Sequence, residues 1–104
     1  MAKRRTRLKA EIMDSGIRAT CLIKHPMETG NRLDSDGNKI PIHYIKYVKF
    51  SVNGEHVGTL NLGPGVSADP YLSFDIADVK VGDTLALQWE DNKGESDTVE
   101  RVVK

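Results

Sequence analysis

The chain has 104 residues, with 15 basic and 15 acidic side chains and a formal net charge of zero. This length predicts a single domain, residues 1–104, with one modest hydrophobic core. Five basic residues precede the first acidic one and leave an acidic remainder, so we expect a flexible basic N-terminus at residues 1–6 and no nucleic-acid partner. No stretch is long or apolar enough to span a membrane, and no membrane partner is expected.

Two alternating segments open the chain and predict strands. The first runs from about Arg7 to Met13, and the second runs from Ile17 to Lys24 with Cys21 on its apolar side. A free cysteine among apolar neighbours usually packs as a small hydrophobe, and no activating base is identifiable nearby in the sequence. We therefore interpret Cys21 as a buried packing residue and not as a nucleophile.

The segment from His25 to Gly30 follows the second strand and precedes a long polar loop. Pro26 ends the strand because it has no N–H to donate. We predict that His25 and Met27 offer surface for a partner protein. His25, Met27 and His43 could suggest copper, but three scattered ligands without a fixed spacing are a weak indication of a metal, so no metal ligand is predicted. A small metal-binding or redox protein that uses Cys21, His25 and Met27 stays open as the alternative.

A hairpin from about Tyr44 to Leu62 is predicted at the centre of the chain, with its turn at Asn53-Gly54. An Asn-Gly pair between alternating runs is a strong hairpin signal, since both turn residues need positive φ. A two-residue turn predicts these opposed pairs: Val52 and Glu55, Phe50 and Val57, Val48 and Thr59, Tyr47 and Leu60, and Ile45 and Leu62.

The predicted register divides the hairpin into two faces. Phe50 and Val57 then belong to the core face, while the other face is also apolar near its open end. An exposed apolar face of this size is unusual on a soluble monomer, so a partner protein is expected to cover it. Its residues are Ile45, Tyr47, Leu60 and Leu62. A register slip of one residue would exchange the two faces, and that alternative stays open.

The last third of the chain contains three more alternating segments, at about residues 71–76, 85–90 and 98–103. No window has a helical period, and turn signals recur every ten residues or so. About seven short strands in a chain of this length predict an all-β fold, an immunoglobulin-like β-sandwich.

Several ordered motifs between about residues 17 and 96 form a distinctive set. They are His25–Gly30, Asp34–Gly37, Ile40-Pro41, His43-Tyr44, Gly63-Pro64, Val66-Ser67, Asp69–Leu72 and Trp89–Gly94. With these motifs the chain resembles the SoxZ family, the Z subunit of the sulfur-oxidation (Sox) carrier complex. The resemblance implies an immunoglobulin-like fold, which agrees with the strand count.

The resemblance also implies a function that the residues alone do not give. A SoxZ protein would be the non-catalytic subunit of a heterodimer in thiosulfate oxidation, without a cofactor. Its partner would be a SoxY-type carrier subunit whose glycine-flanked C-terminal cysteine holds the sulfur intermediate. Other Sox enzymes would dock transiently, and the chain would reach the periplasm with its signal-bearing partner. A homodimeric structural domain that uses the same apolar face is a further hypothesis.

Overall fold

A computed structural model describes residues 6–104, and these residues form seven strands and no helix. The strands are β1 (Thr6–Met13), β2 (Gly16–Ile23), β3 (Ile45–Val52), β4 (Glu55–Asn61), β5 (Tyr71–Ala77), β6 (Thr84–Asp91) and β7 (Ser96–Val102). Accordingly, the described part of the chain contains no helix that could cross a membrane. The flexible N-terminus predicted for residues 1–6 lies outside the described residues, apart from Thr6, which already belongs to β1.

The strands form two antiparallel sheets, with the orders β1-β2-β5 and β4-β3-β6-β7. Alternate side chains of both sheets point inward, and the largest fully buried ones are Trp89 and Phe50. The indole Nε1 of Trp89 donates a hydrogen bond to Oγ1 of Thr6 across the two sheets, at 2.8 Å. This arrangement confirms the predicted immunoglobulin-like sandwich of about seven strands.

The central hairpin turns where predicted but continues in a different register. Asn53 and Gly54 have positive φ values of 52° and 84°, and Val52 lies opposite Glu55. Phe50, however, pairs with Gly58 and not with Val57, because a β-bulge inserts one extra residue into β4. Of the five predicted pairs, only that of Val52 and Glu55 is therefore observed, and the other four were wrong.

The bulge has a steric cause in the opposite sheet. Gly58 lies on the inner face against Phe74 of β5, where a Cβ atom would come within 2.2 Å of the ring. A valine could not occupy that place, so Val57 is displaced outward and its side chain is 39% exposed. The prediction that Val57 belongs to the core face was wrong.

The residues beyond the bulge change faces accordingly. Leu60 lies opposite Val48, which is fully buried, and Asn61 takes the place opposite Tyr47. A second irregularity in the pairing of β3 with β6, between Ile45 and Tyr47, turns Ile45 inward to complete burial. The predicted apolar outer face of the hairpin is therefore not formed.

Candidate functional site

Four polar side chains meet at one end of the sandwich. His25 follows β2, His43 precedes β3, Asp91 ends β6, and Glu95 lies in the turn before β7. One nitrogen or oxygen atom from each lies within 4.8 Å of the others. The side chains of His25 and Asp91 are fully inaccessible, that of His43 is nearly so, and that of Glu95 is partly exposed. We call this group the His-Asp cluster.

Asp91 is the centre of the His-Asp cluster. Its Oδ2 accepts hydrogen bonds from Nε2 of His25 at 3.0 Å and Nε2 of His43 at 2.6 Å. Its Oδ1 accepts the backbone N–H groups of Lys93 at 3.0 Å and Glu95 at 2.8 Å. Burial raises the pKa of the Asp91 carboxyl, but the hydrogen bonds from the two histidines and from Glu95 outweigh burial and bring the pKa to about 2. Asp91 is thus a buried carboxylate that stays ionised.

The backbone fixes the tautomer of His25. Nδ1 of His25 accepts the N–H of Met27 at 3.1 Å, so a neutral ring carries its proton on Nε2. That proton is donated to Asp91. A metal ion would need the Nε2 lone pair that this proton occupies, so the four atoms fit a hydrogen-bonded network better than a metal site.

The ligands of the alternative function, Cys21, His25 and Met27, do not come together as a metal site either. Among residues 6–104, the group with possible ligand atoms contains His25 but not Cys21. The sulfur of Met27 accepts the backbone N–H of Ile45 at 3.4 Å and is buried. The geometry therefore gives no support to a site built from Cys21, His25 and Met27.

Two residues with left-handed backbone conformations hold the loops around the His-Asp cluster. Met27 has φ 48° and Asp69 has φ 51°, a region that non-glycine residues rarely adopt. The Asp69 carboxylate accepts the N–H of His25 at 2.9 Å, and the Asp69 N–H donates to the His25 carbonyl at 2.8 Å. Both conformations are thus tied to His25, which links the loop after β2 to the loop before β5.

These two loops enclose a shallow groove of about 550 Å³. One wall is residues 26–29 with Arg32, and the other is residues 64–68. Glu28 pairs with Arg32, whose hydrogen bonds hold the pKa of the Glu28 carboxyl below its usual range. Backbone bonds between Glu28 and His43 join this wall to the His-Asp cluster. The His-Asp cluster therefore lies beneath the groove and is tied to one of its walls by these backbone bonds.

The structure corrects three of the predicted partner-binding residues. His25, Met27 and Ile45 are at most 4% exposed, so they offer no surface to a partner. Tyr47 is half-buried on the outer face, where its hydroxyl donates to Glu90 at 2.9 Å. This hydrogen bond makes the surroundings of the Tyr47 side chain polar.

The remaining predicted residues, Leu60 and Leu62, are half-buried and pack against the core. The four hairpin residues Ile45, Tyr47, Leu60 and Leu62 therefore do not form the contiguous apolar patch that was predicted. Binding of a partner through Tyr47, Leu60 or Leu62 stays a prediction.

Cys21 lies in the core, 1% exposed, as predicted for a packing residue. Burial raises the pKa of its thiol to about 11, despite a hydrogen bond with the Leu72 backbone that acts in the opposite direction. At neutral pH the thiol is therefore protonated and enclosed.

Asp91 and Glu95 are the members of the His-Asp cluster that the sequence did not indicate as site residues, and His43 was indicated only weakly, as a possible metal ligand. One signal was present: Leu85, Leu87, Trp89 and Asp91 alternate on the inward side of β6. A carboxylate at an inward position needs buried partners, and histidines are suitable donors.

The comparison with protein families identifies a match over nearly the whole chain. The model described as "Sulphur oxidation protein SoxZ" matches residues 5–102, nearly the whole chain. No curated protein matches the chain.

Proposed function

The chain belongs to the SoxZ family and hence to sulfur oxidation, and on this premise we propose that it is the non-catalytic subunit of a heterodimeric sulfur carrier. Its partner is a SoxY-type subunit, and the C-terminal cysteine of that subunit holds the sulfur intermediate of thiosulfate oxidation. Other Sox enzymes dock transiently on the heterodimer. We place the heterodimer in the periplasm, where the chain arrives with its signal-bearing partner.

The state of Cys21 is the observation that carries this proposal. A cysteine that accepts sulfur from an enzyme must reach that enzyme and react as a thiolate. Cys21 is 1% exposed and its thiol pKa is raised to about 11. It is the only cysteine of the sequence. A covalent sulfur intermediate therefore requires a cysteine on another chain.

The inaccessibility of the His-Asp cluster also supports a structural role for this chain. His25 and Asp91 resemble a catalytic pair in their hydrogen bond, but both side chains are fully inaccessible. A substrate could not reach either group without opening the sandwich. The cluster instead joins the loop after β2, the start of β3 and the turn after β6. This favours a rigid scaffold.

Co-expression with the SoxY-type subunit tests the proposal. We expect the two chains to co-purify as a heterodimer, and thiosulfate turnover with the other Sox enzymes to add sulfur-containing mass to the partner only. Intact-mass measurement of both chains gives the readout. A sulfur adduct on this chain, or failure of the wild-type chains to associate, would contradict the proposal.

Cys21→Ala is the matched variant for this experiment. It removes the only thiol of the chain at a cost of a small cavity, about 1 kcal/mol or less for so small a side chain. Turnover by the heterodimer should continue at the wild-type rate. If a folded, partner-bound Cys21→Ala chain abolished turnover, the cysteine would have a direct role and the proposal would fail.

A further inference from the structure

The turn of the central hairpin holds the one asparagine of the sequence that is followed by glycine, Asn53. An asparagine side chain is most open to attack by the next backbone nitrogen when that nitrogen belongs to glycine, because no Cβ atom shields it. Both Asn53 and Gly54 are exposed. Spontaneous deamidation is therefore favoured at Asn53 over the asparagines that precede larger residues, which are Asn31, Asn38, Asn61 and Asn92.

Deamidation of Asn53 needs water and no other reactant. The backbone nitrogen of Gly54 gives up its proton to the solvent and bonds to Cγ of Asn53. The bond from Cγ to Nδ2 then breaks, and Nδ2 takes up a proton and leaves as ammonia. Water opens the resulting succinimide ring at one of its two carbonyl carbons, which gives aspartate or isoaspartate.

The folded chain holds the Asn53 side chain away from this reaction. Nδ2 of Asn53 donates to Oδ1 of Asp83 at 3.1 Å, and Oδ1 of Asn53 accepts the N–H of Thr84 at 2.9 Å. The Thr84 N–H can only donate, so it fixes which end of the amide is the oxygen. The N–H of Asn53 also donates to the Thr84 carbonyl, at 2.8 Å. Cγ can turn towards the Gly54 nitrogen only after the amide leaves both of its partners.

Asp83 is a well-fixed acceptor for Asn53. Its Oδ2 accepts the N–H of Lys80 at 2.9 Å, and its carbonyl accepts the N–H of Val103 at 2.8 Å. The hydrogen bonds from the Lys80 backbone and from Asn53 hold the pKa of the Asp83 carboxyl below its usual range. The contact thus joins the hairpin turn, the loop before β6 and the residue after β7. It lies at the end of β3 and the start of β6, opposite to the end that holds the His-Asp cluster.

We propose that Asn53 is a self-modification site that the hydrogen bonds to Asp83 and Thr84 keep unreacted in the folded chain, and that its conversion releases the hairpin turn. An ionised aspartate side chain at position 53 has no proton to donate and places a second negative charge beside Asp83, so the contact becomes repulsive. Isoaspartate also lengthens a two-residue turn by one backbone atom, which changes the turn geometry. The site involves this chain alone and is independent of the proposed carrier function.

The rate of deamidation in the native and the unfolded chain tests the protection. Peptide mapping by mass spectrometry follows Asn53 while the full chain is incubated at pH 8, and the four other asparagines serve as internal references. We expect the native chain to react at Asn53 at least about ten-fold more slowly than the urea-unfolded chain, because the turn must first open. Equal rates in the native and the unfolded chain would overturn the inference, since the fold would then give no protection.

Asp83→Ala tests whether the side-chain contact is the cause of the protection. This variant removes the acceptor of Nδ2 and should raise the native rate at Asn53 several-fold. Asp36→Ala makes the same change at an exposed position of the polar loop, and Cys21→Ala lowers stability in the core. Both controls should keep the wild-type rate. A wild-type rate in Asp83→Ala would overturn the inference, and so would an equal rise in Cys21→Ala, because general unfolding would then explain the reaction.

Asn53→Asp tests the effect of the conversion without measuring its rate. This variant should shift the midpoint of thermal unfolding downward, and high salt should diminish the shift. Adding Asp83→Asn restores a donor and an acceptor at the contact and should recover part of the lost midpoint. Asn38→Asp is the matched control, since Asn38 is exposed in the polar loop. An Asn53→Asp chain as stable as Asn38→Asp, or a double variant no more stable than Asn53→Asp, would overturn the inference.

Discussion

Gly58 fits against Phe74 only because it has no side chain: a Cβ atom there would lie 2.2 Å from Cζ of the ring. The ring cannot easily retreat, since it stacks on Phe50 with centroids 5.1 Å apart. The contact joins β4 of one sheet to β5 of the other, and it determines the position of the bulge in β4. The register of the central hairpin therefore depends on a residue of the opposite sheet.

Gly58→Ala should destabilise the protein by about 1–3 kcal/mol, as is usual when a methyl group is forced into a packed interior. Urea unfolding followed by circular dichroism measures the change. Gly63→Ala is the control, because nothing lies within 4 Å of a Cβ at that position. Phe74→Leu should recover part of the lost stability in the double variant. Equal stability of Gly58→Ala and wild type would contradict the close contact of Gly58 with Phe74.

A charge placed at position 57 or 60 distinguishes the observed register from the predicted one. Val57→Glu should leave the chain folded, since the bulge exposes this side chain. Leu60→Glu should cost about 1–3 kcal/mol, because the carboxylate would replace a residue packed against the core. Thermal melting of the two variants gives the comparison. A folded Leu60→Glu with an unfolded Val57→Glu would restore the register expected from the sequence alone.

The same hairpin shows what could be predicted from local sequence and what could not. The Asn53-Gly54 turn and the alternating strands were recognisable because both signals lie within a few residues of each other. The bulge was not, since its cause is Phe74 in another sheet. The His-Asp cluster was missed for a similar reason: His25, His43 and Asp91 are distant in sequence, and only the fold brings them together.

Cys21 should be nearly inert in the folded protein. A thiol pKa of about 11 in place of the ordinary value lowers the thiolate fraction at pH 8 roughly a hundred-fold, and burial hinders the reagent further. We expect iodoacetamide to leave the native chain unmodified over a time in which the urea-unfolded chain reacts completely, as read by intact mass. Rapid alkylation of native protein would show that the thiol is accessible and would remove the main support for the proposed scaffold role.

Asp91→Asn should be strongly destabilising at pH 7. The carboxylate accepts hydrogen bonds from two buried histidines, and an asparagine amide could leave their N–H groups without an acceptor, at about 1–3 kcal/mol for each buried donor left unsatisfied. Asp36→Asn serves as the control, since Asp36 is exposed in the polar loop. The free energy of unfolding in urea is the measurement. If both variants had wild-type stability, the His-Asp cluster would not be what holds the three segments together.

The pH dependence of the free energy of unfolding should reflect the ionisation of the Asp91 carboxyl. The pKa of Asp91 is lowered to about 2 in the folded protein, so between about pH 4 and pH 2 the unfolded chain binds a proton that the folded chain does not. The stabilisation is therefore complete above about pH 4 and is lost as the pH falls towards 2. Urea unfolding at several pH values should show a shallower acid loss for Asp91→Asn than for wild type, with Asp36→Asn following the wild type. Parallel curves for wild type and Asp91→Asn would mean that the acid loss comes from other carboxylates.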